Sequence, residues 1–215
     1  MIEINFISLD LATKVLGCAI FKNNTMVEYY RIENKGEDIY DRMVNMVNEI
    51  EKIIKIRQLK LAVIEEVPIS KNTMNYDIAR KLCCLQGIFI KMFKENGVKF
   101  RTVVPSEWRK TVGLNRSNFT CKKCGEVFEE QTNIEKKECR KCGNVTQSAF
   151  LSKNLNDRQS LKQRAVDYVN QIYNLKLEYF KNETKTKISN DNECEAIMLG
   201  RAFIKIIENE ENIDV

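Results

Sequence analysis

Three acidic places and two cysteine pairs are the residues whose types and spacing could do chemistry. Asp10 ends the apolar run of residues 4–9. Glu65 and Glu66 end a second apolar run, and Asp191-Asn192-Glu193-Cys194-Glu195 opens the last helical stretch. Each has an ordinary explanation: Asp10 capping a turn through Thr13, and the helix-start acids favoured by the helix dipole. Gathered together, they would instead form a cation site. Clustered carboxylates raise one another's pKa unless a cation neutralises them. Oxygen-only ligands favour Mg²⁺ or Mn²⁺. Two such ions ~4 Å apart activate a water and stabilise a leaving alkoxide in phosphodiester cleavage. The chain has no histidine, which excludes Ser-His and Cys-His triads and histidine metal ligands. Carboxylates, lysines, cysteines or a metal-activated water must therefore carry any catalysis.

Geometry narrows the acidic set. Successive strand residues point to opposite faces, so only one of Glu65 and Glu66 can join Asp10. On a helix, Asp191 and Glu195 share a face at i, i+4. Asn192 and Glu195 share one at i, i+3, while Glu193 points elsewhere.

Eight cysteines occur in a chain without a visible secretory leader, which argues for metal rather than disulfides. Cys121-Lys122-Lys123-Cys124-Gly125 and Cys139-Arg140-Lys141-Cys142-Gly143 are two knuckles separated by fourteen residues. Cys121, Cys124, Cys139 and Cys142 are thus expected to close one structural, tetrahedral Zn²⁺ site. The remaining Cys18, Cys83, Cys84 and Cys194 lie in apolar surroundings and are expected in the core. Lys122, Lys123, Lys136, Lys137, Arg140 and Lys141 make the knuckle segment basic, suited to a phosphate backbone. Arg158, Lys162 and Arg164 extend that surface in this reading.

The elements that must position these groups follow from periodicity. Residues 4–21 read as two strands joined at Ala12-Thr13-Lys14, and residues 25–33 as a third after the turn Asn23-Asn24. Residues 37–59 carry Ile39, Met43, Met46, Val47, Ile50, Ile53 and Ile54 at helical spacing. A strand over 60–67 ends at Pro68. A helix over 75–96 is stopped by Asn96-Gly97, and a strand over 98–104 is followed by a short helix or turn from Pro105. Helical pattern returns at Leu161, Ala165, Tyr168, Val169 and Ile172, and again over about residues 191–208. A meander followed by two α/β crossovers is the order of the ribonuclease-H-like fold, a mixed sheet flanked by helices. The expected division is a core of residues 1–114 and 152–215, with residues 115–151 as an inserted zinc ribbon.

The chain has 215 residues, enough for one sizeable core, and a net charge of +5, compatible with a polyanionic partner. No segment approaches the ~20 apolar residues of a membrane span. An intracellular protein with no membrane association is expected.

With these residues in view, the sequence resembles a family. Ser8-Leu9-Asp10-Leu11-Ala12-Thr13-Lys14-Val15-Leu16-Gly17, Val63-Ile64-Glu65-Glu66-Val67 and Glu195-Ala196 resemble the acidic motifs of RuvC-type Holliday-junction resolvases. The match is best to the short phage members. Leu82-Cys83-Cys84-Leu85-Gln86-Gly87 is similar to the helix after the second motif, and Val104-Pro105-Ser106-Glu107-Trp108-Arg109-Lys110 to a proline-tryptophan segment of phage members. The resemblance implies a homodimeric, Mg²⁺-dependent endonuclease on branched DNA, in the cytoplasm of a bacterial host if phage-encoded. It also implies that Asp10, Glu65 and Glu195 are metal ligands. The family's further acid, three residues before the last, is Asn192 here; Asp191 is preferred because a neutral amide is a poorer ligand for a divalent ion. Two other readings stay open: a zinc-stapled nucleic-acid-binding module without catalysis, and an RNA-processing nuclease of the same fold. An actin-like sugar kinase ranks below both, since the chain is short and has only eight glycines.

Overall fold

The computed structural model describes residues 4–33, 36–67, 76–132, 138–145, 150–184 and 186–211. Pro68, Asn75, Lys136 and Lys137 lie outside the described residues. Strand β1 (Phe6–Asp10) is buried at every position and forms the middle of a five-stranded sheet. It pairs antiparallel with β2 (Val15–Lys22), which pairs antiparallel with β3 (Thr25–Glu33). On its other side β1 runs parallel to β4 (Leu61–Glu65), which runs parallel to β5 (Lys99–Val103). The order is β3-β2-β1-β4-β5. Asn23 and Asn24 take left-handed conformations (φ 48° and 61°), as a two-residue hairpin turn demands.

Helix α1 (Ile39–Arg57) and helix α2 (Tyr76–Glu95) cover one face. Asp38 caps α1 by accepting from the backbone N–H of Tyr40 and Asp41 at 2.7 and 2.8 Å. Met43, Ile50, Leu85, Phe89 and Phe93 pack there on Ile7, Leu9, Cys18 and Ile64. The other face takes α3 (Pro105–Thr111), α4 (Arg158–Tyr173) and α5 (Asp191–Glu211), through Trp108, Val166, Ile197 and Phe203 on Phe6, Phe21 and Val63. Cys18 and Cys194 are core residues as expected, but Cys83 and Cys84 are exposed. The buried stripe of α2 runs through Leu85, Phe89, Met92 and Phe93, and both cysteines fall off it.

Between α3 and α4 stands a separate three-stranded antiparallel sheet, ordered β7-β6-β8, of β6 (Arg116–Cys121), β7 (Val127–Gln131) and β8 (Phe150–Asn154). Its regular pairing continues to Ser117↔Asn154, and β8 was not anticipated from the sequence. Only Phe150 of that strand is partly covered; the rest is exposed, so no apolar alternation marks it.

Helix α5 is buried from Glu193 through Gly200 and lies directly on the sheet. Ser8 Oγ donates to the Ala196 carbonyl at 2.7 Å. Gly17 makes this approach possible, because a methyl group there would overlap the Asn192 carbonyl. Gly17→Ala is expected to destabilise the protein by about 1–3 kcal/mol, the usual range for overpacking. Urea unfolding measures this, and an unchanged midpoint would show that α5 does not seat on β2.

Candidate active site

Strand parity brings the acids together. Phe6 and Val63 face α5, whereas Ile7, Leu9, Ala62 and Ile64 face α1 and α2. Asp10 and Glu65 share the parity of Phe6 and Val63 and so also point toward α5. The parallel register Ser8↔Val63 and Leu9↔Ile64, continued one step, sets Asp10 level with Glu65. Both stand at the carboxyl ends of parallel strands, where open α/β sheets form their clefts. From above, the first turn of α5 presents Asn192 and Glu195. A cleft of about 400 Å³ is lined by Asp10, Glu65, Arg109, Lys162, Asn192 and Glu195 among others. Glu66 follows the last strand residue; its side chain is exposed at the cleft rim, and its N–H bonds the Val103 carbonyl at 2.9 Å.

Two cations thread this cluster. Arg109 of α3 donates to Glu195 at 3.0 Å and lies 3.6 Å from Glu65. Its guanidinium also stacks over the Trp108 ring, 4.7 Å from the centroid. Trp108, fully buried, donates its indole N–H to Glu65 Oε2 at 2.9 Å. Lys162 of α4 bonds Asp191 and stands 3.9 Å from Glu195. Asp191 is therefore turned to Lys162, and Asn192 is the residue of that turn on the cleft wall. Lys162 does not extend an open phosphate surface, because its ammonium is engaged inside the site. Arg164 donates to the Leu155 and Ser160 carbonyls and braces the start of α4. Arg158 is exposed at the cleft mouth.

Carboxylates outnumber cations here. If all were ionised, Asp10, Glu65, Asp191 and Glu195 would set four negative charges against the two cations that, among the described residues, pair with this cluster, Arg109 and Lys162. Among the described residues the Asp10 carboxylate has no hydrogen-bond or ion-pair partner, although the residue is only 8% exposed. Burial first, then the charges of Glu195 and Glu65, push the Asp10 carboxyl well above its usual range. Burial pushes Glu65 up to about 7, against the pull of Arg109. Burial acts on Asp191 too, but the hydrogen bond and charge of Lys162 hold it below the ordinary value. An oxygen-lined, anionic cleft with an unpartnered carboxylate at its base fits a divalent cation. Trp108, Arg109 and Lys162 escaped notice as site members. A lone tryptophan followed by arginine, directly after a strand parallel to the Glu65 strand, is the signal that marks the first two.

The four knuckle cysteines converge as their spacing predicts. Their sulfurs all lie within 4.8 Å of one another, with Cys121 to Cys142 at 3.7 Å and Cys124 to Cys139 at 3.4 Å. Four thiolates about 2.3 Å from one Zn²⁺ would stand about 3.8 Å apart, close to this spacing. The two turns are alike: Gly125 and Gly143, at φ 74° and 65°, each donate to the first cysteine's carbonyl at 2.8 Å. Cys121 and Cys139 are held below the usual thiol value; burial opposes this, and backbone N–H donors from their own turns outweigh it. Of the basic residues here, Lys122 and Lys123 are exposed, while Arg140 pairs with Glu130 at 2.8 Å and Lys141 with Glu126 at 4.0 Å.

No protein-family model matches the chain, and no curated protein matches it by sequence. Solved structures do. RuvC of T. thermophilus in complex with a Holliday junction substrate superposes with a TM-score of 0.56 at 9% identity, over 95% of each chain. A second Thermus thermophilus RuvC structure gives 0.55 at 9% identity, over 96% of this chain and 97% of that one. The yeast mitochondrial Holliday junction resolvase gives 0.50 at 8% identity, over 94% of this chain and 78% of its own. At such identities the likeness is one of architecture: the chain has the ribonuclease-H-like fold, as its strand order and flanking helices require.

Proposed function

We propose that the protein is an Mg²⁺- or Mn²⁺-dependent endonuclease that hydrolyses phosphodiester bonds in branched DNA, acting as a homodimer on four-way junctions. The observation that carries this reading is the cluster of carboxylates around buried Asp10, on a fold shared with a RuvC bound to a Holliday junction substrate and with a mitochondrial Holliday junction resolvase. In this reading Asp10, Glu65 and Glu195 hold a pair of cations, with Asp191 as the fourth carboxylate, shared with Lys162. The chemistry that cations would supply if held there is a lowered pKa for a bound water and charge neutralisation at the departing oxygen. Trp108 fixes the rotamer of Glu65 by occupying one carboxylate oxygen, leaving the other for the cleft. Arg109 keeps Glu65 and Glu195 from repelling each other before a cation arrives. Arg158, at the cleft mouth, is suited to a phosphate next to the one being cut.

Cys121, Cys124, Cys139 and Cys142 hold one structural Zn²⁺ in the same proposal, in an inserted module of residues 115–151 whose strand pairing runs on to Asn154. Its phosphate-facing residues are Lys122, Lys123, Lys136, Lys137, Arg140 and Lys141. The carboxylates Glu126 and Glu130 temper the contribution of the last two. Among the described residues, no helix is long and apolar enough to cross a membrane.

A cleavage panel with Mg²⁺ (four-way junction, flap, duplex, single strand and RNA–DNA hybrid) tests the function directly. Preferred cutting of the junction is expected. Binding without cutting would favour the zinc-stapled binding module, and preferred cutting of the hybrid an RNA-processing role. Asp10→Asn and Glu65→Gln should each slow cleavage by about 10²-fold or more with junction binding retained. Glu66→Gln, whose charge is hydrated, should change the rate little. Near wild-type cutting by either of the first two variants would rule out this cation site.

Trp108→Phe keeps most of the buried ring and removes the donor to Glu65. A hydrogen bond to a charged group contributes about 1.5–3 kcal/mol, so a rate loss of about 10–100-fold at saturating Mg²⁺ is expected. An unchanged rate would mean that the indole only fills space.

Metal analysis of protein purified without chelators should find one zinc per chain. Cys121→Ser or Cys139→Ser should abolish that zinc, while Cys83→Ser and Cys194→Ser should leave it in place. Zinc-free wild-type protein would refute the assignment.

A further inference from the structure

The sheet carries one cross-strand row beneath the start of α5. Asp10 of β1 is paired with Gly17 of β2, and Gly17 with Arg31 of β3. Two members of the row bear opposite charge, and Gly17 between them has no side chain. Into that gap drops the start of α5, which supplies Asn192 and Glu195 to the cleft and Asp191 to Lys162.

Arg31 grips this turn from the side away from the cleft. Its side chain is only 17% exposed. One terminal nitrogen donates to the Ser189 carbonyl at 2.6 Å, and the other lies 3.1 Å from Glu183. Glu183 in turn accepts from the Ser189 N–H at 2.8 Å, so carboxylate and arginine hold the N–H and the C=O of the same residue. Two residues before Glu195 stands Glu193, 2% exposed and pointing away from the cleft. It takes one hydrogen bond from Asn190 at 3.0 Å, and its other oxygen, 4.0 Å from Arg31, has no hydrogen-bond partner. The Cys194 N–H closes the turn on the Asn190 carbonyl at 3.0 Å. Arg31 is thus the cation that faces Glu193, and it also ties down the residue two positions before α5 begins.

We infer that Arg31 is a positioning residue for the cation site, clamping the loop before α5 so that Glu195 faces Asp10 and Glu65 while Asp191 stays on Lys162. Arg31 touches neither the cleft nor its carboxylates, so its effect passes through Ser189, Glu183 and Glu193. A planar guanidinium reaches all three partners from one rotamer, which a lysine ammonium cannot do. The inference rests on the reading of the cleft as a divalent-cation site.

The test is a calorimetric Mn²⁺ titration of zinc-loaded protein, paired with hydrogen exchange of the peptide over residues 189–196. The chains compared are wild type, Arg31→Ala, Arg31→Lys, the double variant Arg31→Gln/Glu193→Gln, and Arg101→Ala. Arg101 forms an exposed pair with Glu210 and serves as the control. Supporting residues of this kind shift metal affinity by about 10–100-fold. Arg31→Ala and the double variant should bind Mn²⁺ at least about tenfold more weakly and exchange faster over residues 189–196, with Arg31→Lys intermediate and the control unchanged. The double variant removes the uncompensated buried charge, so it separates positioning from mere stability and decides the matter should Arg31→Ala not fold. Wild-type affinity and exchange in the double variant would overturn the inference. Absence of Mn²⁺ binding by wild type would overturn the cation-site reading instead. The clamp would then stand or fall on hydrogen exchange alone, with unchanged exchange in the double variant overturning it.

Discussion

A carboxylate buried at the end of the central strand must be compensated, and most of the molecule's particular features answer that requirement. Moving an ion into a protein interior costs several kcal/mol even after relaxation. Asp10 sits beside Glu65 and below Glu195, so the penalty is compounded by repulsion. Arg109 and Lys162 relieve the neighbours, each lying between two carboxylates, and leave Asp10 itself without a partner among the described residues. A site built only for stability would have replaced these groups with apolar ones of similar volume, which is often neutral or stabilising. Asp10, Glu65 and Glu195 around an open cleft, with Asp191 beside them on Lys162, are the arrangement that the proposed cation site would call for.

The cleft also depends on how closely α5 can approach the sheet. Gly17 removes the side chain that would hold the helix off, Ser8 bonds its second turn, and Arg31 fastens the loop leading into it. Carboxylates from a strand end and from a helix start can then share one space. The small sheet of β6, β7 and β8 has a different basis. Among the described residues its own core is centred on Phe119, Phe128 and Phe150 beside the cysteine cluster, a small core of the kind that a metal staple would stabilise. It is nevertheless joined to the cleft wall. Asn156, which lines the cleft, accepts from the Arg116 N–H at 2.7 Å and from Arg164 at 3.3 Å. Loosening the cysteine turns would therefore be felt at the start of α4, where Lys162 and Arg158 reside.

Much of this was legible in the sequence, because it depends on local period and spacing. The buried runs before Asp10 and Glu65, the apolar stripes of α1 and α2, and the paired cysteine knuckles carry their meaning within short windows. The approach of Glu195 to Asp10 was readable only as a possibility of helix phase. What escaped depends on contacts between distant segments. Trp108 and Lys162 look like an ordinary core residue and a surface lysine until α3 and α4 are folded over the sheet. Arg31 looks like one charge among several on β3, since nothing near it in sequence mentions Ser189. Strand β8 has almost no apolar face, so alternation could not reveal it. Cys83 and Cys84 sit among apolar residues in sequence yet off the buried stripe in space, a distinction that composition cannot make.

The central claim is that cations belong between Asp10, Glu65 and Glu195. The most direct measurement is anomalous diffraction from crystals soaked in Mn²⁺, collected at wavelengths that separate manganese from zinc. The account predicts manganese peaks bounded by those three carboxylates and distinct from a zinc peak among Cys121, Cys124, Cys139 and Cys142. Arg109 and Lys162 keeping their ion pairs to Glu195 and Asp191, with no manganese between the carboxylates at concentrations that saturate any activity, would contradict it.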